Sequence, residues 1–250
     1  MMQAYWTLTR RELAGFFLSL TGYVIIAAAA FLTGCSFILM VVNLQDVPTT
    51  VPVTELFYQT AFFWVILLPA VPLITMRLFA LEKFSGTFET LMTTPINDIE
   101  VVAAKFTASL VFYMAMWLPL LGCILVLRRF VGDSPALDLG VLGSTFLGIF
   151  LLGCPFLSFG CFASSLTRSQ MSAAMISLVF SLGLFFLSFL PDRLPTADWK
   201  SQVVAFFSLR DQVQDFVRGV VDTRPVVLYL SLTFFFLFLT LRVLGSRRWK

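Results

Sequence analysis

The sequence predicts an all-α, polytopic membrane protein. Three observations predict it: the composition, six long apolar runs, and short connections between them. The chain is 59% hydrophobic and 12% charged, against roughly 45–50% and about 25% in soluble domains. Its mean hydropathy is +0.92. A soluble fold of 250 residues cannot hide that much apolar surface, so lipid must be the solvent. The expected architecture is a single transmembrane domain over 1–250. It has six transmembrane helices, an N-terminal interfacial helix at 3–17, a short cytoplasmic helix within 77–98, and an outer helical hairpin within 191–225 between spans five and six.

The runs are Leu18–Val42, Phe57–Met76, Phe106–Leu127, Leu139–Ala163, Met171–Leu190 and Val226–Leu244. Each is close to the roughly 20 residues that cross a bilayer. The first five contain no Asp, Glu, Lys or Arg, and the sixth has only Arg242, placed where its side chain can snorkel outward. Placing the N-terminus inside puts ten basic and five acidic residues on the inner side. The outer side then has seven basic and nine acidic residues. This asymmetry predicts that both termini are cytoplasmic, with Arg128 and Arg129 running against the rule. The first run is too long for a signal h-region, so no cleavable signal is expected.

Before the first span, Trp6, Leu13, Phe16, Phe17 and Leu20 share a helical face, with Arg11 opposite. Together with Arg10 and Glu12 they predict an amphipathic helix lying in the inner interface. The alternative is a first span that simply starts early.

Arg77–Asp98 interrupts two apolar runs with readable punctuation. Arg77–Phe84 is expected to continue span two, with Glu82 and Lys83 on it. Ser85–Gly86 ends that helix, because glycine accepts the C-cap conformation. Thr87 is placed to cap a short new helix, with Glu89 in its first turn and Leu91 on its body. Thr94–Pro95 ends it. Asn97, with Glu100 three residues on, starts the third span. The other reading is an ordinary polar helical hairpin.

Pro191–Pro225 is the longest outer connection. Trp199–Phe207 and Gln212–Val221 are amphipathic, with Val203, Val204, Phe206, Phe207, Val213, Phe216, Val217 and Val220 as apolar positions. Two short helices dipping into the outer leaflet satisfy them, and so does a surface cap.

The chemistry of the chain excludes much. It has no His, which removes imidazole metal sites and the commonest general base. Cys35, Cys123, Cys154 and Cys161 lie in apolar runs without CxxC spacing, so neither zinc nor a disulfide framework is expected. No Gly-Lys dipeptide occurs, so no phosphate-cradling P-loop exists. No basic tract of nucleic-acid type is present. No catalytic residue, metal site or cofactor is expected on this chain, and it is not expected to be an enzyme. Ser177, Ser181 and Ser188, with Ala173, line one face of span five as a pathway line or a packing seam. Gly143, Ser144, Gly148, Gly153 and Gly160 invite packing in span four, and Pro119 and Pro155 invite kinks.

Three stretches together resemble the type-2 ABC export permeases, particularly the branch of gliding-motility and nitrous-oxide-reductase maturation permeases. They are TRRELAGFFLSLTGYV at Thr9–Val24, RLFALEKFSGTFETLMTTPINDIEVVAAKF at Arg77–Phe106, and FVRGVVDTRPVVLYLSLTFFFLFLTLRVLGSRRW at Phe216–Trp249. The middle stretch has the pattern R-x4-EK-x2-GT-x-E-x-L-x3-P. That resemblance implies a six-span permease subunit in a bacterial cytoplasmic (inner) membrane. It implies two cytosolic ATPase subunits holding ATP and magnesium, and a second permease chain, identical or homologous. An accessory membrane protein with an outer domain is a further implied partner. Arg77, Glu82, Lys83, Gly86, Thr87, Glu89, Leu91 and Pro95 are then the expected ATPase-coupling residues. The departure from the family is the apolar Leu81 and Phe84 around Glu82–Lys83. The reading from a different class is a non-transporting assembly or anchoring module that docks partners.

Overall fold

A computed structural model describes residues 2–44, 52–87, 97–131, 139–189 and 208–247. All secondary structure among them is helical. The helices are α1 (Met2–Phe17), α2 (Leu20–Leu44), α3 (Val53–Gln59), α4 (Ala61–Thr75) and α5 (Ala80–Ser85), then α6 (Asp98–Met116), α7 (Leu118–Val131), α8 (Leu139–Leu166), α9 (Gln170–Leu187), α10 (Leu209–Val217) and α11 (Thr223–Arg247).

Six stretches are long and apolar enough to cross a membrane: Leu20–Val42, Ala61–Ser85, Asp98–Arg129, Leu139–Leu166, Gln170–Leu187 and Thr223–Ser246. They match the six expected spans to within a few residues at most ends, and the protein is a multi-pass, all-α membrane protein. Spans four and two are the interior pair, 72% and 67% buried, whereas spans one, five and six are 22%, 17% and 22% buried. The last three therefore give most of their surface to lipid or to a further chain.

Small residues let span four occupy the centre. A Cβ at Gly148 would fall 2.7 Å from Phe216 Cβ, one at Gly153 2.4 Å from a Tyr113 ring carbon, and one at Gly160 2.2 Å from Thr75 Oγ1. Three neighbours thus pack against bare backbone at successive levels. Gly143 has no such neighbour. Phenylalanine fills the remaining seams: Phe159 stacks on Phe180 at 3.6 Å between centroids, and Phe236 meets both edge-on, tying spans four, five and six. Pro155 lies inside α8, and Pro69 and Pro72 lie inside α4. Pro119 follows the break at Trp117 that divides span three into α6 and α7.

Several expectations are corrected. Phe57 does not begin span two: it lies on the separate α3, and the chain turns at Thr60 before α4. Helix α1 is distinct from span one, with a turn at Leu18–Ser19 between them. Trp6 and Leu20 are 67% and 81% exposed, while Leu8 and Thr9 are buried. The face turned inward has Tyr5, Leu8, Thr9, Glu12 and Phe16. It is drawn there by α6, where Tyr5 Oη donates to Thr107 Oγ1 at 3.0 Å and Phe16 stacks on Phe112.

At the opposite end of the bundle, α3 and α10 form a cap over spans two and four. Val213, Phe216 and Val217 are buried there as their amphipathic spacing requires, but Val220 is 58% exposed beyond the turn at Gly219. That turn has φ +91°, which favours glycine. Trp199–Phe207 lies outside the described residues.

Candidate functional site

Span two is not one helix. Helix α4 stops at Thr75, a turn follows, and α5 begins at Ala80. The turn exposes backbone donors that no residue of its own segment takes up. Ser164, at the end of span four, takes them: its Oγ accepts from Phe79 N at 3.1 Å and Ala80 N at 3.0 Å and donates to Met76 O at 3.3 Å. The side chain of one span thus caps a helix belonging to another. One turn earlier, Gly160 admits Thr75. Lys83 Nζ donates to Ser165 O. Span four is therefore the mould in which α5 is set.

Charge fixes the other side. Lys105, on α6, is 1% exposed, yet its ammonium reaches Glu12 Oε1 at 3.0 Å and Glu82 Oε1 at 2.8 Å. Arg11 closes the group, 2.8 Å from Glu12 and 3.3 Å from Glu82. Two carboxylates and two cations sum to zero, the condition under which charges tolerate burial. Burial raises the Glu12 carboxyl, but Lys105 and the hydrogen bond from Arg11 outweigh it and hold the group below its ordinary value. Helix α1, α5 and span three are joined at this point.

Directly beyond it, Ser85 ends α5 and Gly86 takes the left-handed C-cap conformation, φ +74°. That agrees with the expected break. Thr87 Oγ1 pairs with Ser85 Oγ at 2.8 Å and Glu82 O at 3.5 Å, and the short helix it was expected to cap lies outside the described residues. Glu89, Leu91 and Pro95 lie outside the described residues. The segment ends as expected at Asn97, whose side chain accepts from Ile99 N as α6 begins at Asp98. Arg77 lies on the turn and donates to Thr21 Oγ1 at the start of span one. Of the remaining α1 residues, Arg10, Phe17 and Trp6 are exposed and Phe16 is partly covered.

Ser177, Ser181 and Ser188 are buried on the inner face of span five. Ser181 and Ser188 bond their own helix backbone, to Ser177 O and Leu184 O. Ser188 Oγ also accepts from Leu209 N, where α10 begins. Cys154 and Cys161 are buried and all four thiols are free. No group of metal-binding side chains occurs among the described residues.

A second polar constellation closes the cap at the far end. Glu55, 4% exposed, receives Arg218 Nη2 at 2.7 Å, Gln214 Nε2 at 3.2 Å and Gln59 Nε2 at 3.3 Å. Thr54 Oγ1 donates to Val217 O and Tyr58 Oη to Arg210 O. Helices α3 and α10 are therefore clasped side chain to backbone as well as charge to charge. The hydrogen bond from Arg218 holds the Glu55 carboxyl below its ordinary value against the opposing effect of burial.

Lys105, Ser164, Glu55 and Arg218 were not among the expected site residues. Lys105 had a usable signal, the one cation of a helix that is free of charge from there to its end, which demands a partner. Glu55 had a weaker one, an isolated carboxylate with Gln59 one turn on. Ser164 had none, because its role exists only across helices.

No curated protein matches the chain. A family model described as ABC-2 family transporter protein matches residues 28–197, which include the turn at Arg77, Glu82, Gly86 and Lys105. A match over well over half of the chain, on a six-span helical bundle, places this protein in the ABC-2 family of transporter proteins.

Proposed function

We propose that this chain is the membrane-spanning permease subunit of an ATP-driven ABC exporter, of the branch related to gliding-motility and nitrous-oxide-reductase maturation permeases. ATP binding and hydrolysis occur on a separate ATPase chain, which carries the ATP and magnesium. The single observation that supports this best is the convergence of α1, α5 and span three on Lys105, immediately before the Gly86 turn. A push delivered to the segment after Gly86 passes through α5 to Ser164 on span four and through Glu82 to span three. The chain offers a force-transmitting corner and no phosphate-binding loop, which suits a subunit driven by another protein.

In this reading the complex has two permease chains, identical or homologous, and two ATPase subunits, with room for an accessory membrane protein bearing an outer domain. Both termini and the Arg77–Asp98 segment face the cytoplasm of a bacterium, and Pro191–Pro225 faces outward. Cysteines placed at Ser85 and Ser201 in a cysteine-free background label from opposite sides of the membrane, and labelling from one side sinks the orientation. The function itself is tested in vesicles containing the chain and its cognate ATPase. Expected are ATP-dependent vectorial movement of cargo and a complex whose mass fits two permease chains. ATPase docking without transport in that preparation favours an anchoring module instead.

A further inference from the structure

We propose that a crevice beside Arg77 binds an anionic phospholipid of the leaflet next to α1, with Arg77 taking the headgroup phosphate. The crevice, about 160 Å³, lies between α1 and the turn after α4, lined by Glu12, Gly15, Phe16, Arg77, Leu78 and Leu81. That is the space of a few water molecules, enough for the first part of an acyl chain but not for a whole lipid.

Two of its six lining residues are charged, and they differ in one respect. Glu12 is spent on Lys105 and Arg11. Arg77 bonds the neutral hydroxyl of Thr21, and among the described residues no carboxylate lies within ion-pair distance of it. The net character of the crevice is one cation against apolar walls. That combination suits an amphiphile with an anionic head. Thr21 lies in the first turn of α2, so the positive end of a 25-residue helix adds to the same field.

The position fits the same occupant. Phe17, Leu18 and Leu20, at the junction of α1 and α2, are 37%, 80% and 81% exposed. Side chains of that kind are covered by acyl chains rather than water, so the mouth of the crevice lies at headgroup level. Gly15 leaves one wall open, because a Cβ there meets nothing within 4 Å.

The proposal uses the membrane placement of α1 and not the ATPase coupling, so a chain that recruits no ATPase still tests it. The experiment is native mass spectrometry of the 250-residue chain in detergent with equal amounts of phosphatidylglycerol and phosphatidylcholine of matched acyl chains. Wild type retains phosphatidylglycerol several-fold over phosphatidylcholine. Arg77→Gln abolishes the preference. Gly15→Leu fills the crevice and lowers retention of the lipid several-fold. Arg10→Gln, removing an exposed cation on α1, leaves both unchanged. Excess glycerol phosphate does not displace the lipid, because the apolar walls hold its chain. Thermal unfolding of each variant, run in parallel, identifies any that is misfolded, and Arg77→Gln alone decides if Gly15→Leu is. Undiminished preference in Arg77→Gln overturns the proposal. So does an equal loss in Arg10→Gln, which marks diffuse surface charge, or full displacement by glycerol phosphate, which marks a simple anion site.

Discussion

Lys105 Nζ lies 2.8 Å from Glu82 Oε1, and this contact ties span three to α5, the short helix that ends span two. The ammonium is almost fully buried, and Glu12 supplies its second carboxylate at 3.0 Å. Such a group is not a simple gain in stability. Its desolvation cost is large, and the attraction offsets it only while every partner remains.

Removal of one partner is therefore the harsh change. Lys105→Met keeps the shape but leaves Glu12 and Glu82 facing each other without their shared cation. We expect it to lower unfolding stability in detergent by about 3 kcal/mol, within the range for broken buried pairs. Adding Glu12→Gln and Glu82→Gln returns most of that loss. Thermal unfolding of the single and triple variants measures both. A Lys105→Met protein as stable as wild type contradicts the placement of these charges.

The seam between spans two and four makes a second expectation. Gly160→Ala puts a Cβ 2.2 Å from Thr75 Oγ1, a distance that real contacts do not allow. Thr75 lies at the end of α4, so the helices must separate one turn from the bonds that Ser164 makes to Phe79 and Ala80. We expect a cost of about 1–3 kcal/mol, the range for overpacked cores, and faster amide exchange at Phe79 and Ala80. Gly143→Ala, where a Cβ meets nothing, is the matched control and is expected to be neutral. Equal behaviour of the two variants removes the seam from the argument.

The six spans were legible because hydropathy reports a property of each segment alone. The same holds for the Gly86 break and the Asn97 start, where backbone geometry depends on one residue and its near neighbours. What was not legible lies between segments. The turn at 76–79 depends on Ser164, some 85 residues away in sequence. The inward face of α1 is set by its contacts with α6, through Tyr5, Glu12 and Phe16, and those partners lie some 90 residues or more away in sequence. A local rule gives way where a partner from another helix competes for the same group.

The clasp at Glu55 predicts a pH dependence. Its carboxyl is held below the ordinary value in the folded chain, first by the hydrogen bond from Arg218. A depressed carboxylate contributes stability that is fully present above its unfolded pKa, about 4.3 for Glu. That contribution is lost as pH falls through the lower, folded value. Glu12 shifts in the same direction, so wild type alone does not isolate the clasp. The comparison is with Glu55→Gln, which loses the charge-assisted bond and is expected to cost about 1.5 kcal/mol at neutral pH. The gap between the two unfolding curves is constant from pH 7 to about 5 and narrows as the carboxylate of wild type protonates. A gap that persists unchanged in acid means that Arg218 and Glu55 are not coupled.

The last expectation concerns the turn that aims the segment after α5. Gly86 has φ +74°, where a β-branched residue is strained and Asn is tolerated far better. A Cβ at this position meets nothing within 4 Å, so any effect of substitution arises from the backbone and not from crowding. Gly86→Val must rotate out of the left-handed region, which redirects Thr87 and everything after it relative to the Lys105 group. Gly86→Asn keeps the direction. Both variants leave the spans untouched, so both are expected at wild-type levels in the membrane. We expect Gly86→Val to lose ATPase recruitment or cargo-stimulated ATP turnover, and Gly86→Asn to retain most of it. Glu89→Lys, which reverses one charge in the segment without altering the turn, is expected to behave like Gly86→Val if that charge meets the ATPase. Recruitment and stimulated turnover in the reconstituted complex, normalised to membrane level, decide among these outcomes. Wild-type values in both Gly86→Val and Glu89→Lys would detach this segment from the motor and leave the Lys105 group as a structural fastening of α1 alone.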